Sequence, residues 1–289
     1  MDKLILLLIA GITTGCIYGL LALGFNLIYN SSGVFNFAQG EYLMVGAISG
    51  AILMEKGLSF PLAALLAIVI VAVVAIVGQL VILRPLQKRN VSMLTMVMAT
   101  LGLAIVISNL TRVLLGTSQR VMTPFFGDSQ IKAGLLVINL QNIVIVAVTL
   151  LILTAVWLLN NKTILGLALR ASGVNKKAAS LMGINVTNTT LLSFFLSGII
   201  AAAAGLLLAP ITSAYPTMGI PLTVKGFIAT VLGGIGNPYT AILGGLILGI
   251  LEMFTSGYVS TSLSDIVILA LLPLILIVKP SGIFGSNKG

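Results

Sequence analysis

The sequence predicts an all-α, polytopic membrane bundle of about eight transmembrane helices, with one short glycine-rich segment that either spans or re-enters. Three observations predict it. Hydrophobic residues fill 58% of the 289 positions and charged residues only 7%, whereas a soluble domain carries about 25% charged residues. The mean hydropathy is +1.19. The apolar residues fall into runs long enough to cross about 30 Å of hydrocarbon, which takes roughly 20 helical residues at 1.5 Å each. Charges gather between these runs.

The stretches 4–29, 37–54, 61–83, 92–115, 141–159, 191–210, 240–257 and 264–278 qualify as spans, within a single transmembrane domain over 1–289. The runs 62–83 and 143–159 are almost continuously apolar, unlike the apolar–polar alternation of a membrane barrel strand. The segment 222–236 is short and glycine-rich. If it enters and returns, protein or a water-filled cavity must cover it. Lys3 followed by an apolar run suggests a signal peptide, but the run is too long and lacks a clean small-residue cleavage site. It reads as a first membrane helix. Cys16 is the sole cysteine, so no internal disulfide forms, and its place is that of a small apolar residue.

The net charge is +9, yet its distribution argues against nucleic acid as a partner. Arg84, Lys88 and Arg89 share one short loop, Lys162, Arg170, Lys176 and Lys177 another, and Lys279 and Lys288 lie near the C-terminus. The acids Asp2, Glu41, Glu55, Asp128, Glu252 and Asp265 fall elsewhere. This is the positive-inside pattern of cytoplasmic loops. Three spans precede 84–90, which puts the N-terminus outside. The spans 92–115 and 141–159 return the chain to the cytoplasm at 160–190, and the later crossings, with 222–236 counted, leave the C-terminus inside. The outer segment 116–140 reads as a loop with a short surface helix and is a candidate docking surface for an extracytoplasmic protein.

Gly11, Gly15 and Gly19 recur every four residues in the first span, Gly245 and Gly249 repeat the spacing late in the chain, and 198–205 is a run of small residues. Such stripes let helices approach closely. They identify packing, not substrate.

Three segments are candidates for function. In the first, 26–46, polar residues continue into an apolar span. Asn26, Asn36, Gln39 and Glu41 are candidates for the translocation pathway or its gate. An intramembrane carboxylate costs about 2.5–3.5 kcal/mol or more and normally faces a cavity or partner. A carboxylate at a helix N-terminus, favoured by the helix dipole, is the alternative. In the second, 166–185, residues 174–182 suit a short amphipathic helix closed by Gly183, lying on anionic lipid headgroups or docking into a groove on a soluble partner. In the third, 231–246, Gly233, Gly234, Gly236 and Pro238 break a helix, which suits either a substrate site or hinge or a simple turn. Glu252 follows inside a span, as a pathway candidate or a partner for Lys225. Histidine is absent, and so is the G-x-x-x-x-G-K-[ST] phosphate loop. ATP-driven work by this chain therefore needs a second protein, and no metal, cofactor or catalytic set is expected.

The opening TGCIYGLLALGFNLIYNSSGVFNFAQGEYLMVGA, the loop GLALRASGVNKKAASLMGIN and the late segment VLGGIGNPYTAILGGLILGILE together resemble the permease subunits of branched-chain amino-acid ABC importers, the Liv type. Asn36 to Glu41 is the most specific piece, and the likeness runs over nearly the whole chain. The family commonly has an acid near Gly173 to Lys177, where this chain has Asn175 and none. The resemblance implies a bacterial cytoplasmic (inner) membrane protein, itself no enzyme, working with a second related permease and two cytoplasmic ABC ATPases that bind ATP. A substrate-binding protein would deliver the amino acid from outside. It also implies that Arg170, Lys176, Lys177, Ala178, Ala179, Met182 and Gly183 form the ATPase coupling loop. The same architecture importing urea or short amides is one alternative. A stand-alone channel or ion-coupled carrier using Glu41 or Glu252 is another. An intramembrane enzyme lacks a visible nucleophile, base and metal set.

Overall fold

The structure, a computed structural model, describes residues 2–89, 91–125, 127, 129–133, 136–279 and 282–284. Asp128 and Lys288 lie outside the described residues. Every expected span is a helix. Helix α1 (Asp2–Ser32) is followed by α2 (Gln39–Glu55) and α3 (Phe60–Gly78). A π-helical turn (Gln79–Leu83) carries α3 into α4 (Arg84–Lys88). Helix α5 (Met93–Leu115) is capped by Ser92, whose hydroxyl accepts from the Thr95 N–H at 3.3 Å. The outer loop then forms a two-stranded antiparallel hairpin, β1 (Gln130–Ala133) and β2 (Leu136–Asn139), with Gln130 opposite Asn139. A surface helix was expected there. The β-branched content of QIKA and LVIN favours strands instead.

Helix α6 (Leu140–Lys162) leads into the short α7 (Ile164–Val174) and α8 (Lys176–Leu181), then α9 (Val186–Thr212), α10 (Gly219–Gly233), α11 (Pro238–Tyr258) and α12 (Thr261–Val278). Among the described residues, seven helices are long and apolar enough to cross a membrane. Helix α2 has 17 residues and α10 has 15. Counting both gives nine apolar helices among the described residues. The glycine-rich stretch 222–236 is thus mostly helix. Its Gly233 to Pro238 break is a turn between α10 and α11, with Asn237 Oδ1 accepting from Tyr239 N–H at 3.1 Å.

The chain divides into two compact units: 1–23 with 123–151 and 224–289, and 24–122 with 152–223. In the first, α1 and α11 meet along the glycine stripes. A Cβ on Gly15 would lie 2.7 Å from the Leu246 Cα, one on Gly11 2.8 Å from the Ile250 Cα, and one on Gly249 would overlap the Gly15 backbone. The stripes in the sequence are therefore partners of one another.

The second unit is built on α2, α3 and α9. Small residues again set the spacing: Gly198 of α9 sits against Ala75 of α3, and Gly46 of α2 against Ala202 of α9. At one end, Ile28, Leu83 and Phe194 form a buried cluster with Met96 beside it. At the other, Arg120 pairs with Glu55 and exchanges backbone hydrogen bonds with Ala214 at 2.9 and 2.8 Å. The basic loop after the π-helical turn and the 166–185 segment share the first end.

Replacing Gly15 with valine should overpack the α1–α11 seam and cost about 1–3 kcal/mol. A Gly102→Ala control, where nothing lies within 4 Å of the added Cβ, should be neutral or slightly stabilising. Thermal unfolding of both purified variants in detergent checks this; equal melting points would contradict the seam.

Candidate functional site

Two irregular segments of the second unit lie deep along α5, and their depth can be measured against that helix. The turn between α1 and α2 bonds to Thr100: its hydroxyl accepts from the Phe37 N–H at 3.2 Å and lies 3.4 Å from the Phe35 carbonyl. The segment between α9 and α10 bonds to Ser108, whose hydroxyl donates to the Pro216 carbonyl at 3.0 Å. Thr100 is about 10 Å from the start of α5 and Ser108 about 10 Å from its end, at 1.5 Å per residue. The chain is therefore non-helical well inside the bundle from both ends. Such backbone survives at membrane depth only when protein satisfies it.

Local bonds hold the first turn. Asn36 Oδ1 accepts from the Ala38 N–H at 3.2 Å, and the Ser32 hydroxyl accepts from the Val34 N–H at 3.1 Å. Helix α2 then begins at Gln39. Its Nε2 donates to the Ser197 carbonyl at 3.3 Å, and the Ser197 hydroxyl lies 2.8 Å from Gln39 Oε1 and 3.1 Å from the Gly24 carbonyl. That hydroxyl has one proton to share between the two acceptors.

The starts of α2 and α10 meet. The Gly40 N–H donates to Thr223 Oγ1 at 3.0 Å, and Thr223 in turn donates to the Gly219 carbonyl at 3.0 Å. A Cβ on Gly40 would overlap that same carbonyl oxygen, and one on Gly219 would overlap the Glu41 carboxylate. Glu41, in the first turn of α2, therefore lies against the first residue of α10. It is 1% exposed, and neither carboxylate oxygen has a hydrogen-bond partner among the described residues. Asn26, Asn36 and Gln39 are buried with it. Tyr42 and Gln79, the latter at the head of the π-helical turn, are buried as well, and among the described residues neither polar atom of Gln79 has a hydrogen-bond partner. The arrangement has features of both sequence readings of Glu41: it stands at a helix start, yet inside a polar cluster rather than at a wet helix end.

Glu252 lies in the other unit. Lys225 Nζ lies 2.7 Å from Glu252 and 3.0 Å from Asp265, above the Tyr18 ring at 5.8 Å. One ammonium ties α10, α11 and α12 together, as the sequence suggested for Lys225 and Glu252.

The segment 166–185 forms its expected short helix, Lys176–Leu181, slightly shorter than 174–182. Asn175 Oδ1 accepts from the Ala178 N–H at 3.0 Å, and Gly183 follows the helix at φ +85°. Gly173 and Lys176 contact the end of α1. A Cβ on Gly173 would overlap the Asn30 carbonyl, and Lys176 Nζ donates to the Ser32 carbonyl. Partial burial holds the Lys176 ammonium below the usual lysine range. Arg170 donates to Asn161 Oδ1 at 3.1 Å. Ala179 is buried, whereas Lys177 and Ala178 are exposed, and Leu181 at 89% and Met182 at 83% stand out into solvent with Val174.

Sequence reasoning missed Gly219, Thr223, Ser197, Tyr42 and Gln79. The available signal was Pro216 and Gly219 between two apolar stretches, a gap that reads as an ordinary loop.

Comparison with known proteins fixes the lineage. Residues 7–276 match the family described as branched-chain amino acid transport system / permease component. The chain belongs to this family. It is 35% identical over 293 residues to the high-affinity branched-chain amino acid transport system permease protein LivH of Escherichia coli (strain K12), covering 96% of this chain and 94% of that one. It is 31% identical over 283 residues to the probable branched-chain amino acid transport permease protein LivH of Methanocaldococcus jannaschii, covering 93% and 88%. Among solved structures, a chain of PsaBC from Streptococcus pneumoniae in complex with Fab has a similar fold, with a TM-score of 0.52 at 13% identity over 94% and 91% of the two chains. The branched-chain permease family thus supplies the identity, and the helical bundle is that of a multi-pass membrane protein.

In this permease, Lys225→Met should strand the Glu252 carboxylate and cost about 3–5 kcal/mol, while Lys225→Met with Glu252→Leu should recover most of it. Unfolding of the detergent-solubilised variants tests this; a double variant as unstable as the single one would contradict the cost of an unpaired Glu252.

Proposed function

We propose that this chain is the membrane-spanning subunit of an ATP-driven importer for branched-chain amino acids, forming half of the translocation pathway. It pairs with a second related permease above two cytoplasmic ABC ATPases and receives substrate from an extracytoplasmic binding protein. It resides in the bacterial inner membrane with its N-terminus outside and its C-terminus in the cytoplasm. Asn26, Asn36, Gln39 and Glu41 belong to the gate, and Glu252 to the ion pair that holds α10 to α12.

The observation that carries this reading is α8 with its flanks. Val174, Leu181 and Met182 expose apolar surface beside Lys177, which suits a groove on a soluble protein. The same segment touches the end of α1 through Gly173 and Lys176. The 33–38 turn and the Glu41 cluster follow directly from that end. A push on α8 is therefore delivered to the gate through packed backbone.

Leu181→Asp and Met182→Asp should each weaken capture of the ATPases and lower ATP-dependent leucine uptake into proteoliposomes by about tenfold, the equivalent of 1.4 kcal/mol. The folded permease should remain in the membrane. Uptake and co-purification at normal levels in both variants would remove α8 from the coupling.

A further inference from the structure

We propose that Glu41 and the N-terminus of α10 form a binding subsite for the charged head of a free α-amino acid. In this structure, the Glu41 carboxylate occupies the place that the ligand's carboxylate takes. This deepens the importer reading above and rests on it.

Both signs of charge meet at this point. Helix α10 has 15 residues, and its first turn presents N–H groups without intrahelical acceptors and a partial positive charge of about +0.5. Pro221 contributes no N–H, which leaves Gly219 and Ile220 at the tip. Gly219 has no Cβ, so a carboxylate can approach its backbone, and the Glu41 carboxylate does so. Glu41 itself supplies the negative group, fully buried and without a hydrogen-bond partner among the described residues.

A buried carboxylate left unpaired costs more than one that is bonded. A lone metal cation would satisfy Glu41 but would face the positive end of α10. A lone anion would satisfy α10 but displace Glu41 into an apolar interior. A zwitterion answers both: its carboxylate replaces that of Glu41 beside Gly219, where the free N–H groups of the first turn can donate to it, and its ammonium meets the Glu41 oxygens. Entry requires α10 to part from α2 at the Gly40–Gly219 contact, where the bond from the Gly40 N–H to Thr223 is the single hydrogen bond to break among those described.

The test uses the assembled permease and ATPases in lipid nanodiscs, without binding protein, and measures equilibrium binding of radiolabelled leucine. Leucinamide and 4-methyl-2-oxopentanoate compete as probes lacking the carboxylate and the ammonium respectively. The wild type should prefer leucine over each probe by about tenfold or more. In Glu41→Gln, leucine should weaken and its advantage over 4-methyl-2-oxopentanoate should vanish, while its advantage over leucinamide persists. A structural role for Glu41 would not move that ratio. An unchanged ratio in Glu41→Gln, or an assembly that imports leucine yet holds none at this site, would overturn the subsite and leave the importer reading standing. An assembly that binds leucine in this pattern but drives no ATP-dependent import would instead sink the importer reading.

Discussion

Within a membrane, no backbone polar group can be left to solvent, and the second unit is organised around that constraint. Two stretches, 33–38 and 213–218, leave the helical state. Each finds partners on α5, at Thr100 and Ser108. Each then hands the chain to a helix start, and the two starts join through Gly40, Thr223 and Gly219. The absence of a Cβ on both glycines is what permits the contact. With larger residues the helices would separate, and Glu41 would have no place against α10.

The same constraint explains how a small surface helix can matter at depth. Segment 166–185 does not reach the cluster itself. It rests on the Asn30 and Ser32 carbonyls at the end of α1, which are among the carbonyls a helix leaves without intrahelical donors. Lys176 satisfies one of them. The end of α1, the turn after it and the start of α2 thus form one continuous path of packed backbone, with no flexible linker in between.

The class of fold was legible in the sequence because length and apolarity alone decide what can span a bilayer. The α1–α11 seam was half legible: the four-residue glycine spacing announced close packing but not that Gly11, Gly15 and Gly19 would meet Gly245 and Gly249. The polar run Asn36 to Glu41 stood out because polar residues are costly inside an apolar stretch. Its partners did not. Ser197, Thr223 and Gly219 are small, common residues of apolar helices, and only the tertiary fold brings them from far along the chain to Gln39, Gly40 and Glu41. The break at 213–218 was hidden for a related reason. A re-entering segment and an outer loop have the same composition, and depth is a property of contacts with α5. The hairpin at 130–139 was missed because a polar loop between spans gives little periodicity in either direction.

Under the proposed coupling, nucleotide-driven motion at α8 reaches the junction of α2 and α10. Hydrogen–deuterium exchange on the assembled transporter, with and without ATP, tests it most directly. Exchange in 33–41 and 213–223 should rise together in the state where 173–185 changes. A change at 173–185 that leaves both deep segments untouched would contradict the account.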